Sequence, residues 1–383
     1  EVVMGYEDRP PTDEELEQMK SLVRKAMAEG ALGISAGMSY VPNIYMSTEE
    51  LAALVAESGA LGGIFANHAR TMNGTDPQAI TEALEIGEIA DTPVHFFHLN
   101  STSSTRADEF LAIIDAARER GMRVTGDSYT YTWGITGLSA YIPAWAQEGG
   151  TGAMLARLRD PEERKRIAAD FVTEPPYLAN IGWHRVRLGV DDPEVNGKLV
   201  SEVATLWETA PEDVFMDVVL QQEGRGIVIE WNNEEDTLRQ VLDQPYVAGG
   251  TDGSAIDLDS ENLPPLIHPR HLGTMPRLLG TYVRDEKLLT WEEAIRKLSG
   301  LPAEILGLQD RGTLEVGNFA DVVVFDPRRI DGKATFTDPF QYAVGMRYVL
   351  VNGEPVIDDG RYTGALPGRA LRGRGYAPSA QTE

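Results

Sequence analysis

Over residues 1–134, short apolar runs alternate with segments in which apolar residues recur every three or four positions. The first pattern predicts buried β-strands, and the second predicts amphipathic helices. Thr12–Glu15 and Ser47–Glu50 have the capping-box pattern of a helix start, and Asp76–Pro77 has the pattern of a third start. We predict a fourth helix that opens at Thr105. Strand and helix are therefore predicted to alternate through this region.

A polar residue closes each predicted strand of this region. The closing residues are Ser35, His68, His98 and Asp127, at successive intervals of 33, 30 and 29 residues. Such intervals correspond to one strand–helix unit each, so the strands are predicted to be parallel, with their polar ends at one edge. A doubly wound sheet and an eight-stranded (β/α)8 TIM-type barrel both fit this α/β repeat. Polar residues gathered at strand ends favour the barrel, because its catalytic groups lie there.

Two of these strands end in a histidine and form the clearest candidate site. The runs are Ile64–Arg70 and Val94–Asn100. Period-2 alternation separates His95 from His98, so His95 is predicted to point away and pack. If the two strands are parallel neighbours, His68 and His98 can share a metal ion, since imidazole is a common ligand of divalent metals.

Residues 135–245 are less regular than the region before them. Helical patterns occur near residues 152–171 and 211–223, and Ile227–Trp231 is a candidate strand. Another strand, Tyr246–Gly253, ends in an aspartate and glycines.

The pattern becomes all-β from about residue 312. Asn352 and Gly353 form a strong hairpin signal between two strand-like runs. We predict two domains, a hydrolase barrel of residues 1–311 and a small C-terminal β module with a polar tail, residues 312–383. A β module of this length is expected to dock on other strands, because it has little core of its own.

Charge and composition narrow the possible partners. The chain carries 34 basic and 60 acidic residues, a net charge of -26, which argues against nucleic-acid binding through phosphate contacts. It has no cysteine, so neither disulfides nor thiolate metal ligands come from these residues. No long apolar run predicts a membrane span or a signal segment, and we expect a cytoplasmic protein with a small-molecule substrate. The sequence carries no signal for an oligomeric state.

Further candidates for chemistry lie at or after other strand ends. The local sequence alone indicates that Asp252 is a turn residue. Together with two candidate imidazole ligands, it becomes a candidate general base. Arg70 and Arg270 can each clamp a carboxylate through the planar guanidinium, or form a structural salt bridge. Tyr129 and Tyr131 can donate to a carbonyl oxygen or pack at the barrel rim.

Several short stretches, each weak alone, occur in a specific order and spacing: Arg9–Leu16, Ala28–Ser35, His68–Arg70, Phe97–Leu99, Gly126–Tyr131, Thr251–Gly253, His268–Thr274 and Gly317–Asp326. Together they resemble the D-aminoacylase (N-acyl-D-amino-acid deacylase) family of the amidohydrolase superfamily. The resemblance covers essentially the whole chain. It implies a distorted (β/α)8 barrel that binds zinc, together with a β-sandwich built from both chain ends.

The resemblance also implies a reaction. The expected enzyme hydrolyses the amide bond of N-acyl-D-amino acids or related N-acyl compounds by attack of metal-bound hydroxide. By this resemblance His68 and His98 are zinc ligands on the fifth and sixth barrel strands. Asp252, after the eighth strand, is the general acid/base.

Substrate contacts are implied for a second group of residues. Arg270 would hold the α-carboxylate of the substrate, with Tyr40 and Tyr131 nearby. Asn100 stands where the family usually has a lysine, which implies a changed substrate contact. Arg70 is the remaining candidate for substrate binding.

Some family features lie outside these residues. The His-x-His motif of the first barrel strand and a cysteine ligand are expected to precede residue 1, with roughly three strands. Two alternatives stay open on the sequence. One is a cyclic-amide hydrolase of the dihydroorotase or hydantoinase kind, and the other is a non-catalytic relative that binds a small molecule.

Overall fold

The computed structural model describes residues 1–70, 75–171 and 182–378. Within these ranges the strands form a five-stranded, a four-stranded and a three-stranded sheet. Numbered along the chain, the strands are β1 Gly33–Gly37, β2 Ile64–His68, β3 Val94–Phe96, β4 Val124–Ser128, β5 Trp133–Gly137, β6 Val186–Gly189, β7 Ile227–Trp231, β8 Val247–Gly249, β9 Val322–Phe325, β10 Met346–Val351, β11 Glu354–Asp358 and β12 Arg361–Tyr362.

Helices connect most of these strands. The α-helices are Asp13–Ala28, Thr48–Gly59, Pro77–Ile89, Ser104–Glu119, Ala144–Gln147, Thr151–Arg159, Pro161–Asp170, Val200–Trp207, Pro211–Gln221, Glu235–Asp243, Arg270–Arg277, Trp291–Ile295 and Leu301–Leu306. Short 3-10 turns are Asn43–Tyr45, Leu138–Tyr141 and Trp183–Arg185, and Leu278–Asp285 and Arg296–Gly300 are π-helical. In the described parts of the chain, no helix has the length and apolar character needed to cross a membrane.

The predicted helix starts follow the capping signals. The hydroxyls of Thr12 and Ser47 each accept a hydrogen bond from the backbone N–H of the N3 glutamate. The carboxylate of that glutamate accepts one from the backbone N–H of the cap residue, so both capping boxes are confirmed. Asp76 caps the third helix as predicted. The fourth begins at Ser104 with Ser103 as its cap, slightly before the predicted opening. Local side-chain chemistry therefore decides where these helices begin.

The five-stranded sheet confirms the predicted parallel repeat. Its order is β1-β2-β3-β4-β8, and every neighbouring pair is parallel. One face presents Phe65, Val94 and Phe96 to the surrounding helices, and these side chains are at most 1% exposed. The chain thus has an α/β fold with the carboxyl ends of parallel strands at one edge. Closure into an eight-stranded barrel stays a prediction.

A three-stranded antiparallel sheet, β5-β7-β6, is inserted between β4 and β8. The predicted strand Ile227–Trp231 is confirmed as β7 with the same bounds. The other two strands were absent from the prediction. Two glycines interrupt the pattern of β5, and β6 has only four residues, so neither carries a strong local strand signal.

The C-terminal sheet is antiparallel in the order β12-β11-β10-β9. Asn352 and Gly353 both have positive φ, 52° and 85°, as the predicted hairpin turn between β10 and β11 requires. The segment after β12, which was predicted to be a polar tail, packs against the end of the first helix. The N–H groups of Gly373 and Ala377 donate to the carbonyls of Gly30 and Ala28, both at 3.0 Å. The division at residues 311 and 312 stays a prediction.

Candidate active site

A cavity of about 260 Å³ lies where the parallel strands end, beside the inserted three-stranded sheet. Of the eight residues predicted for the site, six line this cavity: Tyr40, His68, His98, Asn100, Asp252 and Arg270. They come from segments as far apart in sequence as residues 40 and 270. The parallel sheet brings them together because its strand ends meet at one edge.

The two histidines lie in direct contact. Nδ1 of His68 and Nε2 of His98 are 2.9 Å apart, at hydrogen-bond distance. Burial lowers the pKa of His98 below its ordinary value, which favours the neutral imidazole. A neutral imidazole has a lone pair that can bind a metal ion.

A left-handed backbone brings His98 to this position. β3 ends at Phe96, and His98 has φ 35°. Its N–H donates to Oδ1 of Asp127 at 2.7 Å, which fixes the turn. Simple alternation through the whole run Val94–Asn100 is therefore interrupted at its carboxyl end.

His95 is buried and does not line the cavity, in line with its prediction, and its side chain is also hydrogen-bonded within the sheet. His95 pairs in register with Ala66. Its ring nitrogens lie 2.8 Å from Oγ1 of Thr125 and 3.1 Å from Oδ2 of Asp127. Since the other oxygen of Asp127 holds the N–H of His98, His95 supports the histidine pair through this carboxylate.

An ion pair forms the second part of the site. Nη2 of Arg270 lies 2.8 Å from Oδ2 of Asp252, and the two side chains are 6% and 41% exposed, respectively. Burial raises the pKa of the Asp252 carboxyl, and the nearby guanidinium of Arg270 opposes this shift. Asp252 also has a left-handed backbone, with φ 45° after β8. The carboxylate is thus held at the cavity mouth, accessible to a ligand.

His268 holds the backbone of Arg270 in place. Its Nδ1 accepts the backbone N–H of Arg270 at 3.0 Å, so the other nitrogen, Nε2, carries the proton and donates to the carbonyl of Trp133 at 2.8 Å. His268 is fully buried, and burial holds its pKa well below the ordinary range. The imidazole is therefore neutral, with one ring nitrogen that accepts a hydrogen bond and one that donates. It ties the helix start at Arg270 to β5.

Tyr40 and Asn100 line the cavity as predicted substrate contacts. The ring of Tyr40 lies 4.8 Å from that of His68, and its hydroxyl accepts a hydrogen bond from Thr136 at 3.2 Å. Nδ2 of Asn100 donates to the carbonyl of His98 at 2.8 Å. Oδ1 of Asn100 is buried with no hydrogen-bond partner among the described residues, so it can accept from a ligand.

Arg70 and Tyr131 are not among the residues that line the cavity. Nε of Arg70 donates to both carboxylate oxygens of Glu82, at 2.9 and 3.0 Å, and its other nitrogens donate to backbone carbonyls. Tyr131 packs edge-on against His268, with ring centroids 5.6 Å apart. These contacts match the salt-bridge and packing alternatives, and substrate binding by Arg70 or Tyr131 stays a prediction. We leave both residues out of the proposed site.

Five further polar residues line the cavity and were not assigned from the sequence: Thr75, Tyr129, Thr136, Glu230 and Asn232. Tyr129 was weighed but not chosen over Tyr131, and Asn232 donates to its hydroxyl at 3.1 Å. Glu230 carried a usable signal, because it is an acid within the apolar run Ile227–Trp231. A charge in a buried strand is uncommon and points to a site.

The histidine pair fits two positions of a zinc site. Two imidazole nitrogens at ordinary zinc distances in a tetrahedral site lie about 3.3 Å apart. The observed separation of 2.9 Å therefore requires only a small outward movement. Within residues 1–70, 75–171 and 182–378, no group of three His, Cys, Asp or Glu side chains could hold a metal ion. Two histidines are fewer than the three or four protein ligands of an ordinary zinc site.

Known proteins resemble this chain over nearly all its length. The model of the amidohydrolase family matches residues 4–357. The chain is 34% identical over 372 residues to the D-aminoacylase of Alcaligenes xylosoxydans xylosoxydans, a match that covers 96% of this chain and 67% of that protein. The chain belongs to the D-aminoacylase group of the amidohydrolase family.

Solved structures of this D-aminoacylase group share the fold. A D-aminoacylase crystal structure superposes with a TM-score of 0.77 at 30% identity and covers 97% of this chain and 69% of its own. A second structure is that of the N-acyl-D-glutamate deacylase of Bordetella bronchiseptica, complexed with zinc and a phosphonate that mimics the tetrahedral intermediate. It superposes with a TM-score of 0.74 at 27% identity, and the match covers 95% of this chain and 68% of that one. The chain spans about two thirds of the length of these relatives.

Proposed function

We propose that the protein is a zinc-dependent deacylase that hydrolyses the amide bond of N-acyl-D-amino acids or related N-acyl compounds. One observation carries the proposal: a single cavity holds both the His68–His98 pair and the Asp252–Arg270 pair. The relatives support it, since the group includes a D-aminoacylase and an N-acyl-D-glutamate deacylase.

His68 and His98 would hold the zinc ion, which when bound polarises the scissile carbonyl and lowers the pKa of water. Three features of the chain prepare them for this role. The rings are already in contact, burial keeps His98 neutral, and Asp127 fixes its backbone. Hydrogen bonds that hold a metal ligand in place, as Asp127 does for His98, orient the ligand and support metal affinity.

Asp252 is the proposed general acid/base. It accepts a proton from the water that attacks the carbonyl carbon, and it donates that proton to the amine nitrogen as the C–N bond breaks. Its carboxylate reaches the cavity and is partly open to solvent. Its raised pKa suits a group that must both accept and return a proton.

Arg270 is the proposed anchor for the substrate α-carboxylate. Its Nε is buried and has no hydrogen-bond partner among the described residues, while Nη2 contacts Asp252. The guanidinium thus combines a positive charge with a donor that a second carboxylate can satisfy. A substrate held by Arg270 and approached by Asp252 has its amide bond close to the histidine pair.

The proposal extends to the architecture. The five parallel strands would form part of a (β/α)8 barrel within residues 1–311, and residues 312–383 would form a C-terminal β module. The superposition on the D-aminoacylase structure, with a TM-score of 0.77, supports this assignment.

A substrate panel tests the proposed function. We expect the zinc-loaded protein to release free amine from N-acetyl-D-amino acids at least about 100-fold faster than from the L-enantiomers. Arg270 and the histidine pair fix the carboxylate and the amide, and the cavity lining then sets which side of the α-carbon the side chain can occupy. Hydantoin and dihydroorotate serve as cyclic controls. Faster opening of the cyclic compounds would favour the cyclic-amide alternative. Tight binding without hydrolysis of any compound would favour a non-catalytic relative.

A further inference from the structure

Asn100 lines the candidate cavity and is held in place by hydrogen bonds on three of its groups. Its backbone N–H donates to Oγ1 of Thr75 at 3.1 Å, and its carbonyl accepts from the N–H of Thr75 at 2.7 Å. Its side-chain nitrogen Nδ2 donates to the carbonyl of His98 at 2.8 Å. The residue is only 4% exposed. Its side chain is therefore fixed before a ligand enters, as precise recognition requires.

The orientation of this side-chain amide follows from its partner. A backbone carbonyl can only accept, so the amide nitrogen must lie toward the carbonyl of His98 and the amide oxygen away from it. That oxygen, Oδ1, is buried and has no hydrogen-bond partner among the described residues. A buried acceptor without a donor is unfavourable, so a ligand that brings a donor to Oδ1 binds more favourably.

A second amide oxygen of the cavity, Oδ1 of Asn232, is also buried without a partner in the described ranges. Nδ2 of Asn232 donates to the hydroxyl of Tyr129 at 3.1 Å. A hydroxyl can accept or donate, so this contact leaves either end of the amide free to face the cavity. Asn100 is fixed by a carbonyl instead, and that carbonyl belongs to His98, a proposed zinc ligand. Asn100 is therefore the acceptor with a defined orientation beside the proposed site of hydrolysis.

The proposed substrate offers few donors to this oxygen. At neutral pH its α-carboxylate and its acyl carbonyl only accept, and its side chain varies. The N–H of the scissile amide is the donor that these substrates share, with proline derivatives as the exception. We propose that Oδ1 of Asn100 accepts this N–H and makes the protein selective for secondary amides over the corresponding esters. The inference rests on the proposed function and names the substrate group that is recognised.

The contact also orients the leaving nitrogen. During hydrolysis the C–N bond breaks with its electron pair left on nitrogen, and Asp252 gives the nitrogen the proton that it took from water. An N–H held by Asn100 restricts rotation of the amide, so the nitrogen lone pair lies away from Oδ1. Asp252 follows β8, which β4 separates from β3, so the acid and the acceptor reach the cavity from different strands. An ester lacks the N–H and places an oxygen against Oδ1, which leaves the acceptor unpaired.

The test compares two substrates that differ in a single group, N-acetyl-D-alanine and O-acetyl-D-lactate. Both carry the α-carboxylate, the acetyl carbonyl and a methyl side chain, and only the first has an N–H. The proteins are the zinc-loaded wild type, Asn100→Leu and the matched control Asn262→Leu. Leucine has nearly the size of asparagine but no acceptor. Asn262 is an exposed asparagine in the loop after β8 and does not line the cavity.

We expect Asn100→Leu to lower the ratio of kcat/KM for the amide to kcat/KM for the ester by about 10- to 100-fold. Asn262→Leu should keep the wild-type ratio. The ratio isolates the contact, because the Asn100 variant also loses the bond to the carbonyl of His98, and that loss affects both substrates. A wild-type ratio in Asn100→Leu, whether both rates fall together or neither falls, would overturn the inference while the proposed function stands.

A binding measurement separates failure of the inference from failure of the proposed function. If the wild type hydrolyses no N-acetyl-D-amino acid, the proposed function fails. Whenever the alanine compound is not hydrolysed, calorimetric titration compares N-acetyl-D-alanine with O-acetyl-D-lactate on the wild type and on Asn100→Leu. Tighter binding of the amide, lost in the variant, supports recognition of the N–H. Equal binding of the two compounds, or no binding of either, overturns it.

Discussion

Replacement of Asp252 by asparagine is expected to lower kcat for amide hydrolysis by about 10²- to 10⁴-fold. An amide has nearly the same shape as a carboxyl group and can still contact Arg270, but it cannot accept a proton from water at neutral pH. Because Asp252 lines the cavity at 2.8 Å from Arg270, the change removes the proposed proton acceptor with little change of shape. Steady-state rates with an N-acetyl-D-amino acid measure the effect.

The control for this variant is Asp259→Asn. Asp259 is an exposed aspartate in the same loop after β8 and does not line the cavity. It should leave kcat within about twofold, since exposed substitutions away from special features have small effects. A kcat for Asp252→Asn that stays close to the wild-type value would remove the assigned acid/base.

Replacement of Arg270 by lysine should lower kcat/KM by about 30- to 1,000-fold, mainly through KM. Lysine keeps the positive charge but loses the planar fork that can hold two carboxylates at once. In the structure this fork already contacts Asp252, and its buried Nε is available to a second anion. Initial rates over a range of substrate concentrations separate KM from kcat.

A substrate that lacks the α-carboxylate sharpens this prediction. The N-acetyl-D-amino acid amide should lose most of the contact with Arg270, so wild type and Arg270→Lys should hydrolyse it at similar low rates. Arg70→Lys is the matched control and should keep the KM of the wild type, because Arg70 is bound to Glu82 outside the cavity. An equal loss on acid and amide substrates would show that Arg270 acts through structure alone.

Several helix starts and the parallel strands could be predicted from the sequence, because the patterns that indicate them lie within short segments of the chain. Capping boxes at Thr12 and Ser47 mark helix starts through contacts between residues three apart. The spacing of strand ends near 30 residues reports the parallel repeat, which places His68 at the end of β2 and His98 just after the neighbouring β3. The apolar run of β7 identifies a strand without knowledge of its partners.

The rest depends on contacts between distant residues. β5 has a weak strand pattern and is held by pairing with β7, about a hundred residues later in the chain. The position of His98 depends on a hydrogen bond to Asp127 and a left-handed turn that strict alternation does not contain. The roles of Arg70 and Tyr131 are likewise decided by partners from other elements, such as Glu82 and the ring of His268.

The central claim is that the histidine pair belongs to a zinc-dependent amide hydrolase. Its most direct test is a titration of zinc into metal-free protein, in which bound zinc and the free amino acid released from an N-acetyl-D-amino acid are measured together. We expect no hydrolysis without metal, a rate that rises with bound zinc, and weaker zinc binding in His98→Asn. A full rate in metal-free protein, or unchanged zinc binding in a variant that lacks both His68 and His98, would contradict the account.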